Sequence, residues 1–229
     1  MAHTHEVYSI DGKTEAELAE LFGMEWDAEN SIASYGTMLE KDRCGLHIFT
    51  NSSVSNLTVT FAGGKNTTSV FKIESTYKYL HIIKNDKMEA YGFGMTDGSI
   101  SKFAFIKCKV ADIGTPNTKK DCILLLASTA GGLYITGEPN SLSSGCNQLN
   151  NGIQSASYTN TADGKVVLVN LYHIKDDAAF SLDGLFTPIA YPNVNFSRII
   201  NESFSLEGKN YHAVRSYPNG SVPTIVFEL

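Results

Sequence analysis

This 229-residue sequence predicts an antiparallel β-sandwich or barrel-like set of sheets with one short N-terminal helix. Three observations lead there. Short apolar or alternating runs recur at spacings of about 8–12 residues, separated by Gly, Asn, Asp and Pro, the rhythm of a meandering all-β chain. Strand and helix patterns do not alternate, which argues against a parallel βαβ sheet. Helix start and stop signals coincide in one segment only, close to the N-terminus.

Val7–Ile10 reads as a short strand closed by Asp11-Gly12. Thr14-Glu15-Ala16-Glu17 has the form of a capping box, and the helix it starts places Leu18, Leu21 and Phe22 on one face. Gly23 supplies the residue that ends such a helix, so the expected helix is 14–22. Trp26 follows and is expected to anchor that region to the core. Leu46–Thr50 and Leu57–Phe61 alternate as half-buried strands do, and Ser69–Ile73 adds another. Tyr77–Ile83, Met88–Phe93 and Ile100–Cys108 are separated by Lys84–Lys87 and Asp97-Gly98, and form a three-stranded meander.

Lys109–Lys120 contains Gly114, Pro116 and Asn117, and reads as a long surface loop or a boundary. It separates a region 1–115, β-rich with the helix, from a β-sandwich region 116–229; the two are either separate domains or one continuous domain. Cys122–Ala127 is apolar throughout and is expected to be buried on both faces, with Leu133–Thr136 after the turn Ala130-Gly131-Gly132. Gly137–Gly145 and Asn147–Gly152 read as loop. Lys165–Tyr172 (KVVLVNLY) carries a continuous β-branched run and is expected to be the central strand of this half, paired with Ile153–Thr159 across Asn160–Gly164. Ala178–Leu182 suggests a helical turn. Leu185–Tyr191 returns to the sheet as an edge or bulged strand because of Pro188. Phe196–Ile200 is a short strand, and Glu202–Leu206, Tyr211–Ser216 and Thr224–Leu229 form a closing meander, for about thirteen strands in all.

A net charge of -6 argues against a nucleic-acid partner, which needs basic patches. No apolar stretch is long enough to span a membrane, and the N-terminus has no apolar core of the kind a secretion signal needs. His3 and His5 read as incidental. Cys44, Cys108, Cys122 and Cys146 make no C-x-x-C pair, so a zinc knuckle is not expected, and all four are read as reduced thiols. The Asn-x-Ser/Thr sites at Asn51, Asn56, Asn66, Asn195, Asn201 and Asn219 carry little weight in a chain so rich in these residues.

No reaction motif is present. A nucleophile elbow is absent, and Cys44 and His47 sit three apart on one strand, which points them to opposite faces. Glu74 and Glu89 read as carboxylates on a solvated strand face, and His81 and His173 as satisfied histidines beside apolar runs. Asp176-Asp177 and Asp183-Gly184 offer oxygen ligands but lack the spacing of a calcium loop. No cofactor is expected. The candidate interaction loops are rich in Tyr and Asn: Tyr191, Asn193 and Asn195 in one, Tyr217 and Asn219 in the other. Aromatic faces beside amides can grip sugars or protein surfaces.

The order KVVLVNLYHIKDDAAF, a Pro-containing strand, FSLEGKNYHAV and the closing PTIVFEL resembles β-rich structural proteins of tailed-phage virions, in tail, baseplate or neck. Gly208-Lys209-Asn210-Tyr211 is the most concrete part of a likeness that covers residues 150–229. It implies no catalysis, self-assembly through β-rich surfaces, and other copies of the chain or other virion proteins as partners. The location it implies is the virion, or the cytoplasm of a bacterial host before assembly. The alternatives are a carbohydrate-binding β-sandwich that takes a cell-surface glycan and, third, a hydrolase whose site is assembled from distant residues.

Overall fold

Asn85 bends the chain by local chemistry: its side-chain oxygen accepts from the amides of Lys87 and Met88 at 2.8 and 3.0 Å. That turn, with the one at Asp97-Gly98, builds the predicted meander. In a computed structural model of the chain, the described residues are 3–35, 44–51, 54–60, 70–112, 114, 119–126, 133–135, 147–148, 167–175, 178–189, 202–215 and 224–229. They form one helix, α1 (Glu15–Leu21), and seventeen strands. The strands before the first long turn are β1 (Thr4–Ser9), β2 (Glu25–Asp27), β3 (Ile32–Tyr35), β4 (Cys44–Asn51), β5 (Val54–Thr60) and β6 (Val70–Glu74). The meander and its continuation are β7 (Tyr79–Lys84), β8 (Glu89–Gly94), β9 (Lys102–Asp112), β10 (Lys119–Leu126), β11 (Leu133–Ile135) and β12 (Asn147–Gln148). The last five are β13 (Val167–Lys175), β14 (Ala178–Ile189), β15 (Glu202–Leu206), β16 (Lys209–Arg215) and β17 (Thr224–Glu228).

The protein is mainly β, with a large curled antiparallel sheet of twelve strands and a second sheet of five, β2-β3-β4-β5-β6. The main path of the large sheet runs β1-β7-β8-β9-β14-β17-β16-β15, with β10 to β12 and β13 branching from it. All described strand pairs are antiparallel, which agrees with the sandwich or barrel-like class.

The capping box forms as the sequence predicts. The Thr14 amide donates to Glu17 at 2.8 Å and the Glu17 amide to the Thr14 hydroxyl at 3.3 Å. Gly23 ends the helix at φ +60, a conformation that suits glycine.

Register assigns the faces of the large sheet. Val7, His81, Gly92 and Phe103 are successive partners and share one face. Glu89 and Lys107, and Tyr91 and Phe105, pair on the other. On that second face sit α1, whose Phe22 meets Tyr91 and Phe105 edge-on at 5.8 and 5.1 Å, and the five-stranded sheet, whose Phe71 stacks on Phe93 at 5.5 Å. On the first face the sheet curls so that β16 and β17 bring His212 and Phe227 to within 5.3 and 6.0 Å of Phe103. Most of the buried apolar residues from both faces belong to one core cluster.

Several expectations need correction. The strand expected at the centre of the C-terminal half, β13, lies off the main path of the large sheet with β14 as its described partner, and the partner expected on its other side, Ile153–Thr159, lies outside the described residues. The β-branched run of β13 suits any buried ladder, and burial pattern alone does not rank strands by position. The centre falls on β9, which pairs with β8, β10 and β14. Ala178–Leu182 is strand, not a helical turn, because Phe180–Leu182 pair with Val110–Asp112 on β9. The long loop Lys109–Lys120 is shorter: β9 continues to Asp112 and β10 begins at Lys119, and the two strands pair antiparallel from Ala111↔Lys119. Asn147-Gln148, expected as loop, pairs with Tyr134 and Ile135. Thirteen strands was too few.

β14 is not an edge strand, although it is bulged. Phe180–Leu182 pair with β9, Leu185-Phe186 pair with β17, and the ladder to β13 shifts register after Asn170. Between the two segments Gly184 sits at φ +75, where an added Cβ would lie 2.8 Å from Lys87 Cβ. Only glycine fits that bend without a shift. The apolar expectation for β10 holds, since Cys122 to Leu126 are all buried. The predicted strands Ile153–Thr159 and Phe196–Ile200 lie outside the described residues.

Candidate functional site

The five residues singled out from sequence, Tyr191, Asn193, Asn195, Tyr217 and Asn219, lie outside the described residues. What the described residues offer is two polar clusters in the core and several strand edges, β1 among them.

The first cluster lies under α1. Glu89 and Lys107 face each other across β8 and β9, and their charges meet at 2.9 Å. Lys107 Nζ also donates to the Phe22 carbonyl at 3.1 Å, at the C-terminal end of a helix with no basic residue in its last turn. A cation from the sheet thus faces the negative end of the helix. The ammonium lies over the Tyr35 ring, 4.5 Å from its centre. Tyr91 has one hydroxyl proton and two acceptors in reach, Glu89 at 2.5 Å and the Phe22 carbonyl at 3.0 Å. The charged carboxylate is the stronger acceptor, and Lys107 serves the carbonyl instead.

Burial pulls the Glu89 carboxyl upward, but hydrogen bonds from Tyr91 and Lys107, with the Lys107 charge, outweigh it and hold it below the usual range. Burial raises the Tyr91 hydroxyl, and Glu89 adds to the rise; Tyr35 is raised by burial and by Asp121. Glu89 is therefore a paired, part-buried carboxylate rather than one on a freely solvated face, as read from sequence, whereas Glu74 is exposed. With Lys107 only 6% exposed and its donors engaged, the cluster docks a helix, and its solvent-facing part is the part-exposed Glu89 carboxylate.

The second cluster is on the opposite face. His81 is fully buried, and its Nε2 lies 3.1 Å from the Thr96 carbonyl. A carbonyl only accepts, so Nε2 carries the proton and Nδ1 accepts from His5 Nε2, also at 3.1 Å. His81 is the satisfied histidine that the sequence predicts. Ser203 and His212 are directly paired, with Oγ 3.0 Å from Nδ1. This is not the layout of a nucleophile and base. His212 Nε2 is buried with no hydrogen-bond partner, so no acid orients the ring, and its stack is Phe103 and Phe227. Burial, then the nearby His5 charge, push the ring down to about 4, which makes it a weak base near neutrality.

Among the described residues no group of three or more His, Cys, Asp or Glu is placed to hold a metal. Asp183, considered for calcium, is engaged by Lys119. A small pocket is lined by Asn85, Lys87, Gly184, Phe186 and Glu228, two of which are joined where the Asn85 amide donates to the Glu228 carbonyl at 2.8 Å.

β1 is an edge of the large sheet, as β15 is at the other end of its main path. Its six residues pair with β7 from Thr4↔Lys84 to Ser9↔Tyr79, and among the described strands its other side has no partner. Val7 and Tyr8, on opposite faces, are each 37% exposed. The strand THEVYS is β-prone, holds no Gly or Pro and carries one acidic residue, Glu6, which is paired to Lys84 at 3.3 Å. It lacks the bulge, proline or lysine that protects an edge. The sequence shows the strand; its edge position follows from the pairing of distant segments. Among the described residues no helix is long and apolar enough to cross a membrane. No protein-family model, curated protein or solved structure matches the chain.

Proposed function

We propose that the chain is a non-enzymatic assembly subunit of the kind found in tailed-phage virions, joining further copies of itself through the free side of β1. The observation that carries this reading is that edge: a β-prone strand with unprotected backbone and two half-exposed apolar side chains. A second strand added there gains main-chain hydrogen bonds along its length and pockets for alternate side chains. The phage class rests on the order of elements in residues 150–229, and the virion, or the host cytoplasm before assembly, is the location that goes with it. The carbohydrate-binding alternative depends on Tyr191 and Tyr217 and gains no support from the described residues.

Light scattering over a wide concentration range tests the reading. A concentration-dependent oligomer is expected, burying more than about 1,000 Å² per contact. Val7→Lys puts a charge on the edge and should abolish association with no loss of folding, since Val7 is already part-exposed. A chain that stays monomeric at every concentration, or an oligomer that Val7→Lys leaves intact, rules out this edge as the joining surface.

A further inference from the structure

Cys108 and Cys122 are direct partners in the β9–β10 ladder, with their sulfurs 3.3 Å apart and both present as thiols. We propose that this pair is a redox site that closes to a disulfide at the expense of a low-molecular-weight disulfide. Directly opposed residues of an antiparallel pair have Cα atoms about 4.5–5.5 Å apart, within the range of about 4.4–6.8 Å that a disulfide spans. The side chains already point at each other, and Ile106↔Leu124 and Val110↔Lys120 hold the register on either side. No backbone rearrangement is needed to bring the two sulfurs together.

The step balances without a metal. The thiolate of one cysteine attacks a sulfur of the small disulfide, and a mixed disulfide forms as one small thiolate leaves. The second cysteine, losing its proton, attacks the protein sulfur of that mixed disulfide and expels the other small thiol. Two electrons pass to the oxidant, and the two protons leave with its two thiols. Both cysteines are at most 1% exposed in the folded chain, so exchange takes place while the hairpin is open, during folding or local opening. The cysteines are 14 residues apart in sequence, and a loop of that length makes the disulfide about 100-fold more favourable in the folded than in the unfolded chain.

The test refolds the full chain, with Cys44→Ser and Cys146→Ser, from the reduced denatured state into buffers of reduced and oxidised glutathione. Samples are quenched with iodoacetamide and weighed. A species lighter by two hydrogens with neither thiol alkylated is expected, at a glutathione ratio about 100-fold more reducing than in denaturant. Its melting temperature should lie about 5–10 °C above that of the reduced form. If both thiols stay alkylatable after denaturation at every ratio, or if folding does not shift the ratio, the proposal fails. Peptide mapping of the chain with all four cysteines gives a second reading, independent of whether the double variant folds. A Cys108–Cys122 crosslink supports the pair; either residue linked to Cys44 or Cys146 instead, or no crosslink at all, overturns it.

Discussion

Lys107 holds several partners at once: the Glu89 carboxylate, the Phe22 carbonyl, the Tyr91 hydroxyl and the face of Tyr35. Lys107→Met would leave a carboxylate half-buried without its cation. A loss of about 2–4 kcal/mol is expected in urea denaturation, with much of it recovered by adding Glu89→Leu. A single variant as stable as the parent would show the pair to be dispensable. This cluster was not legible in the sequence. Lys107 and Glu89 are 18 residues apart, and their pairing depends on a register that shifts between Tyr91 and Gly92, which no local pattern encodes. His212 gives a pH dependence. Its folded ring titrates at about 4, against about 6.5 in an unfolded chain. Between those values the unfolded chain binds a proton that the folded ring refuses, so stability is full above about pH 6.5 and falls as the pH drops toward 4. His81, lowered chiefly by burial, acts in the same direction. The urea midpoint should therefore decline across this window, by on the order of 3 kcal/mol for His212 alone, and His212→Phe should flatten the decline.

At the scale of elements, local chemistry was readable and long-range pairing was not. The Thr14 box, the Gly23 stop and the turns at Asn85 and Asp97-Gly98 act within a few residues of themselves, and α1 and the β7–β9 meander stand where they predict. Ala178-Ala179-Phe180 is compatible with helix or strand, and the ladder to β9 decides it. Thr14→Ala tests the local side. It removes one side of the box and should cost about 1 kcal/mol, measured as a lower denaturant midpoint at unchanged slope. The Lys107 contact reaches the far end of the same helix, so the two losses should add, being separated by the length of α1.

For the whole molecule, the class was legible from spacing and turn residues, because an all-β chain must punctuate its strands whatever their order. The order was not legible: which strands are central and which are edges depends on what lies beside them. The candidate edge shares this limit, since Val7–Ile10 reads as strand in any topology. The observed order has β9, from the region before residue 115, paired with β14, from the region after it. Phe103 on β9 also packs on Phe227 of β17. Calorimetry should accordingly show one cooperative transition for the two regions, with matching calorimetric and van't Hoff enthalpies; two resolved peaks would contradict that coupling.

The seam between β14 and β17 has two residue pairs, while β16 shares five with β17 and five with β15. Under tension on the C-terminus, a long ladder loaded along its length distributes force over many bonds, and a two-pair seam cannot. The last three strands are then the part that yields first, as a unit, while the longer hairpins on the other side of β14 stay whole. Besides those two pairs, side chains resist that yielding: His212 and Phe227 lodged against Phe103, Phe186 edge-on to Tyr211, and the Asn85 amide holding the Glu228 carbonyl. In an assembly that bears load, this seam would act as a mechanical fuse, with its breaking strength set by a two-pair ladder, a few ring contacts and one side-chain hydrogen bond.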